Sequence, residues 1–278
     1  MQIIPKNEIA LSDGFHLPLL GLGTWKLSDA EASRVVAEAI NEGYRLIDTG
    51  QRYQNEYGVG LGLKWANVRR DEVVVTSKVR GGDQGYEQTL RAFQASRRNL
   101  GVDVVDLFFI HWPLPKRNLY VDTFRALQKL RDDGFIRSIG VCNFEIEHLQ
   151  RLLDETGELP AVNQIEMHVG FRQSALVEGC KNLGIAVQGW GAIGRGLGLL
   201  TNPTLIEVSR KYDVTPAQVA LAWVRYQGAA ALAKSASPSR RTSNLESLNL
   251  KLEKSDLMLL EEIPESRIGK DPRTDEEF

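Results

Sequence analysis

The chain has 278 residues, enough for one large α/β barrel or two ordinary domains. Its apolar fraction of 42% and charged fraction of 25% are those of a globular protein, and no apolar run is long enough to span a bilayer. A formal net charge of −2 offers no electrostatic case for nucleic acid or an anionic membrane surface. Residues 1–7 lack the apolar core of a signal peptide, and Cys142 and Cys180 form neither a disulfide framework nor a C-x-x-C pair. The expectation is a cytoplasmic protein.

Residues 8–11, the turn Ser12-Asp13-Gly14 and residues 15–17 read as a β-hairpin. A strand over 19–25 ends in Gly21-Leu22-Gly23-Thr24-Trp25. Ser28 or Asp29 caps a helix whose Ala32, Val35, Val36, Ala39 and Ile40 share one face. Further apolar strands are expected at 45–48, 73–78, 105–112, 136–143, 161–168, 185–191 and 230–234. Helical patterns occupy 86–100, 120–133, 145–155, 174–183 and 215–227, and the polar residues after Asp48 can open another helix.

With the strand at 19–25, the pattern makes eight strands, each followed by a helix, at intervals of about thirty residues, the size of a βα unit. Eight units predict a (β/α)₈ TIM barrel with an N-terminal β-hairpin. The seventh-to-eighth interval holds two helical patterns, so an extra helix is expected before the eighth strand. An open doubly wound sheet fits less well, because no G-x-G-x-x-G follows any strand. No linker interrupts 1–278, which reads as a single domain. The charged tail, 267–278, reads as a loop over a barrel face or a frayed end.

In such a barrel the C-terminal strand ends and the loops after them carry the chemistry. The last polar residues of successive strands are Asp48, Lys78, His111, Asn143, Gln164 or His168, Trp190 and Lys234. Each has an ordinary structural role when taken singly; their recurrence at one place in successive units points to a site. Tyr53, on the loop after Asp48, adds a phenol. A buried ammonium at Lys78 favours the phenolate, and the Asp48 carboxylate keeps that ammonium charged. An imidazole N–H from His111 can orient a carbonyl oxygen. These four groups can protonate an aldehyde or ketone while an organic cofactor delivers a hydride. Four scattered histidines and two distant cysteines form no metal-ligand spacing, so no metal is expected.

Trp190 offers a flat face for a nicotinamide ring, with Gly191 behind it. Asn143 and Gln164 can bond a carboxamide. The segment Gly191-Ala192-Ile193-Gly194-Arg195-Gly196 can present backbone N–H groups to a pyrophosphate, and Lys234, Ser235, Arg240 and Arg241 can hold a further phosphate.

The chain resembles the aldo-keto reductases along nearly its whole length. The resemblance rests on an ordered series: Leu20-Gly21-Leu22-Gly23-Thr24-Trp25; Ile47-Asp48-Thr49 with Tyr53 and Asn55-Glu56; Thr76-Ser77-Lys78. It continues with Val105-Asp106-Leu107, Ile110-His111-Trp112-Pro113, Arg137-Ser138-Ile139-Gly140-Val141 with Asn143-Phe144, and Pro160-Ala161-Val162-Asn163-Gln164-Ile165-Glu166. Lys234-Ser235 and Asn244-Leu245 close it. It is most similar to short bacterial members of the 2,5-diketo-gluconate reductase and prostaglandin F synthase-like kind.

The resemblance implies a monomer that reduces a small carbonyl substrate with NADPH, transferring the 4-pro-R hydride, with NADH also possible. It implies Tyr53 as general acid tuned by Lys78 and Asp48, His111 orienting the carbonyl, and Trp25 and Trp112 walling the substrate pocket. Gly23, Thr24 and Asn244 join the cofactor set. A nicotinamide-binding barrel with a regulatory or structural role is the alternative, disfavoured by the intact catalytic set.

Cys142 stands in place of the usual Ser, Gly191-Ala192-Ile193 in place of Ser-Pro-Leu, and Ala233 in place of Pro. Ser237 and Ser243 replace Arg and Glu, Val169-Gly170 replaces a Pro-aromatic pair, and Gly50 replaces Ala. Several of these touch cofactor grip, so weaker NADPH binding or a relaxed NADPH/NADH choice is expected. Arg267, Lys270 and Arg273 of the tail are candidate carboxylate attractors or solvated charges.

Overall fold

The computed structural model describes residues 7–274. Eight parallel strands close into a barrel: β3 (Leu20–Gly23), β4 (Leu46–Asp48), β5 (Val74–Val79), β6 (Val105–Ile110), β7 (Ile136–Cys142), β8 (Val162–Glu166), β9 (Ala186–Trp190) and β10 (Ala230–Ala233), which pairs back onto β3. The expected hairpin precedes them as antiparallel β1 (Glu8–Ala10) and β2 (His16–Pro18). Around the barrel lie α1 (Asp29–Glu42), α2 (Glu56–Trp65), α3 (Tyr86–Leu100), α4 (Tyr120–Asp132), α5 (Ile146–Thr156), α6 (Ser174–Asn182), α7 (Pro203–Lys211), α8 (Pro216–Tyr226), α9 (Pro238–Glu246) and α10 (Lys254–Glu261). The extra helix before the last strand is α7. Helix α10 is not among the helical patterns expected from the sequence. None of the described helices is long and apolar enough to cross a membrane.

Two-residue alternation decides what each strand does. On β4, Leu46 packs in an inner cluster, Ile47 packs outward among the helices, and Asp48 ends the inner row. On β6, Leu107 and Phe109 face in while Phe108 faces out. Gly140 lets the Phe109 ring cross the barrel, since a Cβ there would overlap it. Leu11 and Leu17 of the hairpin join this inner cluster, so the N-terminal end of the barrel is filled with hydrocarbon. The opposite end is left to the polar residues at the strand termini.

The helices obey local signals. Ser28 caps α1 through a capping box with Glu31, and its Ala32, Val35, Val36, Ala39 and Ile40 are all buried. Thr215 and Gln218 form the same device on α8, with Pro216 at its first turn. Asp48 caps no helix; its carboxylate turns into the barrel mouth.

Candidate active site

Asp48 and Lys78 end adjacent strands and meet as a buried ion pair, Nζ to Oδ1 2.6 Å, with side chains 3% and 0% exposed. Lys78 Nζ also donates to the Thr49 carbonyl at 2.7 Å. The other Asp48 oxygen accepts from Thr76 Oγ1 at 2.8 Å and Gln164 Nε2 at 3.0 Å. Lys78 and Thr76 come from the adjacent β5, whereas Gln164 reaches the carboxylate from β8 across the barrel.

Tyr53 closes a short helical turn, Gln51–Tyr53, after β4. Asn55 fixes that turn: it accepts from Thr49 Oγ1 at 2.8 Å and donates to the carbonyls of Thr24 (2.8 Å) and Leu27 (2.9 Å). Lys78 Nζ lies 4.9 Å from the Tyr53 ring centre, and the His111 ring stands edge-on to Tyr53 at 5.8 Å. The four residues expected to act together are brought together.

Their electrostatics differ from the sequence-based expectation at one point. Burial pushes the Tyr53 phenol up to about 12; Lys78 pulls it down, but Asp48 and Cys142 push it up and burial wins. The phenol is thus held protonated, and no phenolate is favoured at neutral pH. Burial works against the Lys78 charge too, yet Asp48 and the other acidic groups outweigh it and hold its pKa above the ordinary range. Burial, with Lys78 and Arg52, holds His111 well below 6.5, so its imidazole is neutral.

Asn143, with positive φ of 62°, directs Nδ2 to the His111 carbonyl at 3.2 Å, and its Oδ1 accepts from Trp190 Nε1 at 2.8 Å. Gln164 Nε2 also donates to Gln188 Oε1 at 2.7 Å. Both hydrogens of Gln164 Nε2 are thereby engaged, leaving its Oε1 to accept, whereas Asn143 retains one hydrogen on Nδ2 and one lone pair on Oδ1. Gln164, not His168, turns to the mouth; His168 is buried against Glu166. Thr24 is buried, its hydroxyl donating to the Asp48 carbonyl at 3.0 Å. Gly23 lies beside it on β3.

Trp190 is half-buried, with Gly191, Ile193 and Gly194 following it. Gly191, Gly194, Gly196 and Gly198 all have positive φ, giving a loop of turned peptides that larger side chains would strain. Arg195 lies over the Trp25 ring at 4.0 Å and 5.7 Å from the Trp190 ring centre. Trp25 is exposed, whereas Trp112 is buried and its carbonyl accepts from Gln84 Nε2 at 2.6 Å. Lys234 and Arg240 are exposed at the end of β10 and on α9; Ser235, next to Lys234, and Asn244, one turn after Arg240, are buried.

Arg241 is different. It is fully buried and bound by Glu38 (2.6 Å) and Glu42 (2.7 Å) of α1, with Nη1 donating to the Ala236 carbonyl, so it is a structural tie rather than a phosphate ligand. The tail cations are also committed: Arg273 pairs with Glu145 at 2.8 Å, and Arg267 lies over Phe171 and bonds the Lys270 carbonyl. Residues 275–278 of that expected loop lie outside the described residues.

Thr76, Gln188, Arg195 and Glu166 were not singled out from the sequence. Thr76 and Gln188 had a signal, each lying two residues before a site residue on the same strand face.

The sequence pattern of the aldo/keto reductase family matches residues 19–265. This chain belongs to that family. An aldo-keto reductase of Mycobacterium sp. (strain JLS) is 43% identical over 267 residues, covering 96% of each chain. Methylglyoxal reductase DkgA of Yersinia pestis is 42% identical over 266 residues, 95% of each. Among solved structures, a Gox0644 mutant in complex with NADPH superposes with a TM-score of 0.93 at 39% identity, over 98% of this chain and 99% of that one. The (β/α)₈ barrel and the family resemblance read from the sequence are both established.

Proposed function

We propose that this chain reduces an aldehyde or ketone to an alcohol with NADPH, with Tyr53 as the general acid. The observation that carries the reading is the Asp48, Lys78, Tyr53 and His111 constellation at one barrel mouth, beside a half-exposed Trp190. The donor set suits a nicotinamide dinucleotide: an indole face, two amides with spare capacity, a glycine-rich loop, and the exposed cations Lys234 and Arg240 for phosphate. When bound, such a cofactor supplies the hydride.

The side chains do the rest. His111 is neutral, so its ring N–H can orient the carbonyl oxygen without competing as an acid. Tyr53, protonated across the neutral range, gives its proton to the more basic alkoxide oxygen as it forms. Lys78 stabilises the phenolate left behind, and Asp48 keeps Lys78 charged. We read the whole chain as one barrel domain, monomeric and cytoplasmic.

Loss of NADPH absorbance with a panel of reactive carbonyls tests this. Tyr53→Phe should lower kcat by about 10²–10⁴-fold, the usual contribution of a positioned general acid. Unaltered turnover in that variant would remove Tyr53 from the role. Absence of turnover in the native chain would favour a binding-only barrel. The substitutions at Cys142, Ala233, Ser237 and Ser243 also predict an NADPH preference over NADH below about a hundredfold, or ~2.7 kcal/mol, in measured dissociation constants.

A further inference from the structure

The three loops that supply Tyr53 and follow Lys78 and His111 also supply guanidinium groups. Arg52 precedes Tyr53 on its turn, Arg80 follows Val79 at the end of β5, and Arg117 lies on the loop after β6. Arg52, Gln54, Arg80 and Gly82 line a cavity of about 510 Å³. Arg117 Nη1 donates to the carbonyl of Gly81, the residue before Gly82, at 2.7 Å. Backbone ties this cavity to the reacting groups: the Arg80 N–H donates to Gln51 Oε1 on the Tyr53 turn at 3.0 Å, and the His111 N–H to the Val79 carbonyl at 3.2 Å. The charge of Arg52 reaches far enough to depress His111.

Asp83 offsets part of this charge by accepting from Arg80 Nε at 2.7 Å. A guanidinium so engaged still has its terminal N–H groups to offer, in a fork that matches anionic oxygens. Arg52 and Arg80 are both exposed at the cavity wall. A neutral carbonyl compound gains nothing from such a field, whereas an anionic one is drawn to it and held in register.

We propose that the substrate is a carbonyl compound bearing a carboxylate or phosphate, which Arg52 and Arg80 bind while the carbonyl faces Tyr53 and His111. This rests on the reductase reading above. Arg52 and Arg80 are specificity residues in it, acting through KM and encounter rate.

The test compares kcat/KM for ω-oxo acids of increasing chain length with their methyl esters, and for glyceraldehyde 3-phosphate with glyceraldehyde, using NADPH at low and high salt. At low salt at least one anionic compound should exceed its neutral partner by about tenfold, through KM, and added salt should erode the advantage. An advantage confined to one pair type assigns the carboxylate or the phosphate. In Arg52→Ala and Arg80→Ala the anionic-to-neutral ratio should fall towards one, and Arg80→Lys should restore part of it. Because the ratio is taken within each variant, partial misfolding does not mimic the result. Equal use of anionic and neutral compounds, or a preference surviving both substitutions, overturns the inference while leaving the reductase reading intact. No turnover of any compound overturns both.

Discussion

Lys78 keeps its charge in a place where an isolated ammonium would lose it. Burial opposes the charge, and the Asp48 oxygen at 2.6 Å is what reverses the balance. Asp48→Asn preserves shape but removes that compensation, so urea denaturation should show a loss of about 3–5 kcal/mol, the cost of breaking a buried pair from one side. Reductase activity should fall with it. His111 carries a second consequence. Its folded-state pKa lies well below 6.5, so in acid the unfolded chain binds a proton that the folded chain refuses. Stability is full above 6.5 and declines as pH falls towards the folded pKa, by up to about 1.4 kcal/mol per pH unit. His148, also held low by burial, adds a parallel share. Denaturation across that acid range should therefore show a slope that His111→Gln reduces without abolishing; an unchanged slope would place the proton uptake elsewhere.

Between elements, the tightest packing lies where α2 crosses α1. A Cβ at Gly58 would overlap the Asp29 carbonyl, and one at Gly62 would stand 2.7 Å from Val36 Cβ. The Gly58 N–H also donates to Asp29 Oδ1 at 2.6 Å. Gly58→Ala should cost about 1–3 kcal/mol by overpacking, despite the better helix propensity of alanine. A stability equal to or above that of the native chain would show that α2 can slide. Such crossings explain what the sequence could and could not reveal. The barrel strands and α7 were legible because apolar periodicity and βα spacing are local. So were Asp48, Lys78 and His111, since each ends an apolar run. Arg241 was not: whether a cation on α9 is solvated or tied depends on Glu38 and Glu42 of α1, about two hundred residues away in sequence. The sign of the Tyr53 shift was equally hidden, because it is set by how much packing surrounds the phenol rather than by its charged neighbour.

Across the whole molecule, the segment after α10 returns to the barrel mouth, where the Glu166 carboxylate is the anchor nearest Trp190. Glu166, at the end of β8, accepts from the Ile268 and Gly269 N–H groups at 2.6 and 2.7 Å, and His168 Nε2 lies 3.1 Å away. Burial would raise the Glu166 pKa, but these hydrogen bonds lower it overall and keep the carboxylate ionised. Gly269 thereby lies against the edge of the Trp190 ring, where a Cβ would overlap the indole and stand 2.6 Å from Glu166 Oε2. Asn143 holds the same indole by accepting from its Nε1. Gly269→Ala must lift the segment off Glu166 or turn the ring away from Asn143. In either case the face proposed for the nicotinamide loses its fixed position. The NADPH dissociation constant should rise about tenfold, equivalent to ~1.4 kcal/mol, and intrinsic tryptophan fluorescence should shift before any cofactor is added. Glu166→Gln, which keeps the shape but weakens the acceptor, should move both readouts in the same direction by less. If Gly269→Ala leaves both unchanged, the segment rides free of Trp190 and the indole is positioned by Asn143 alone.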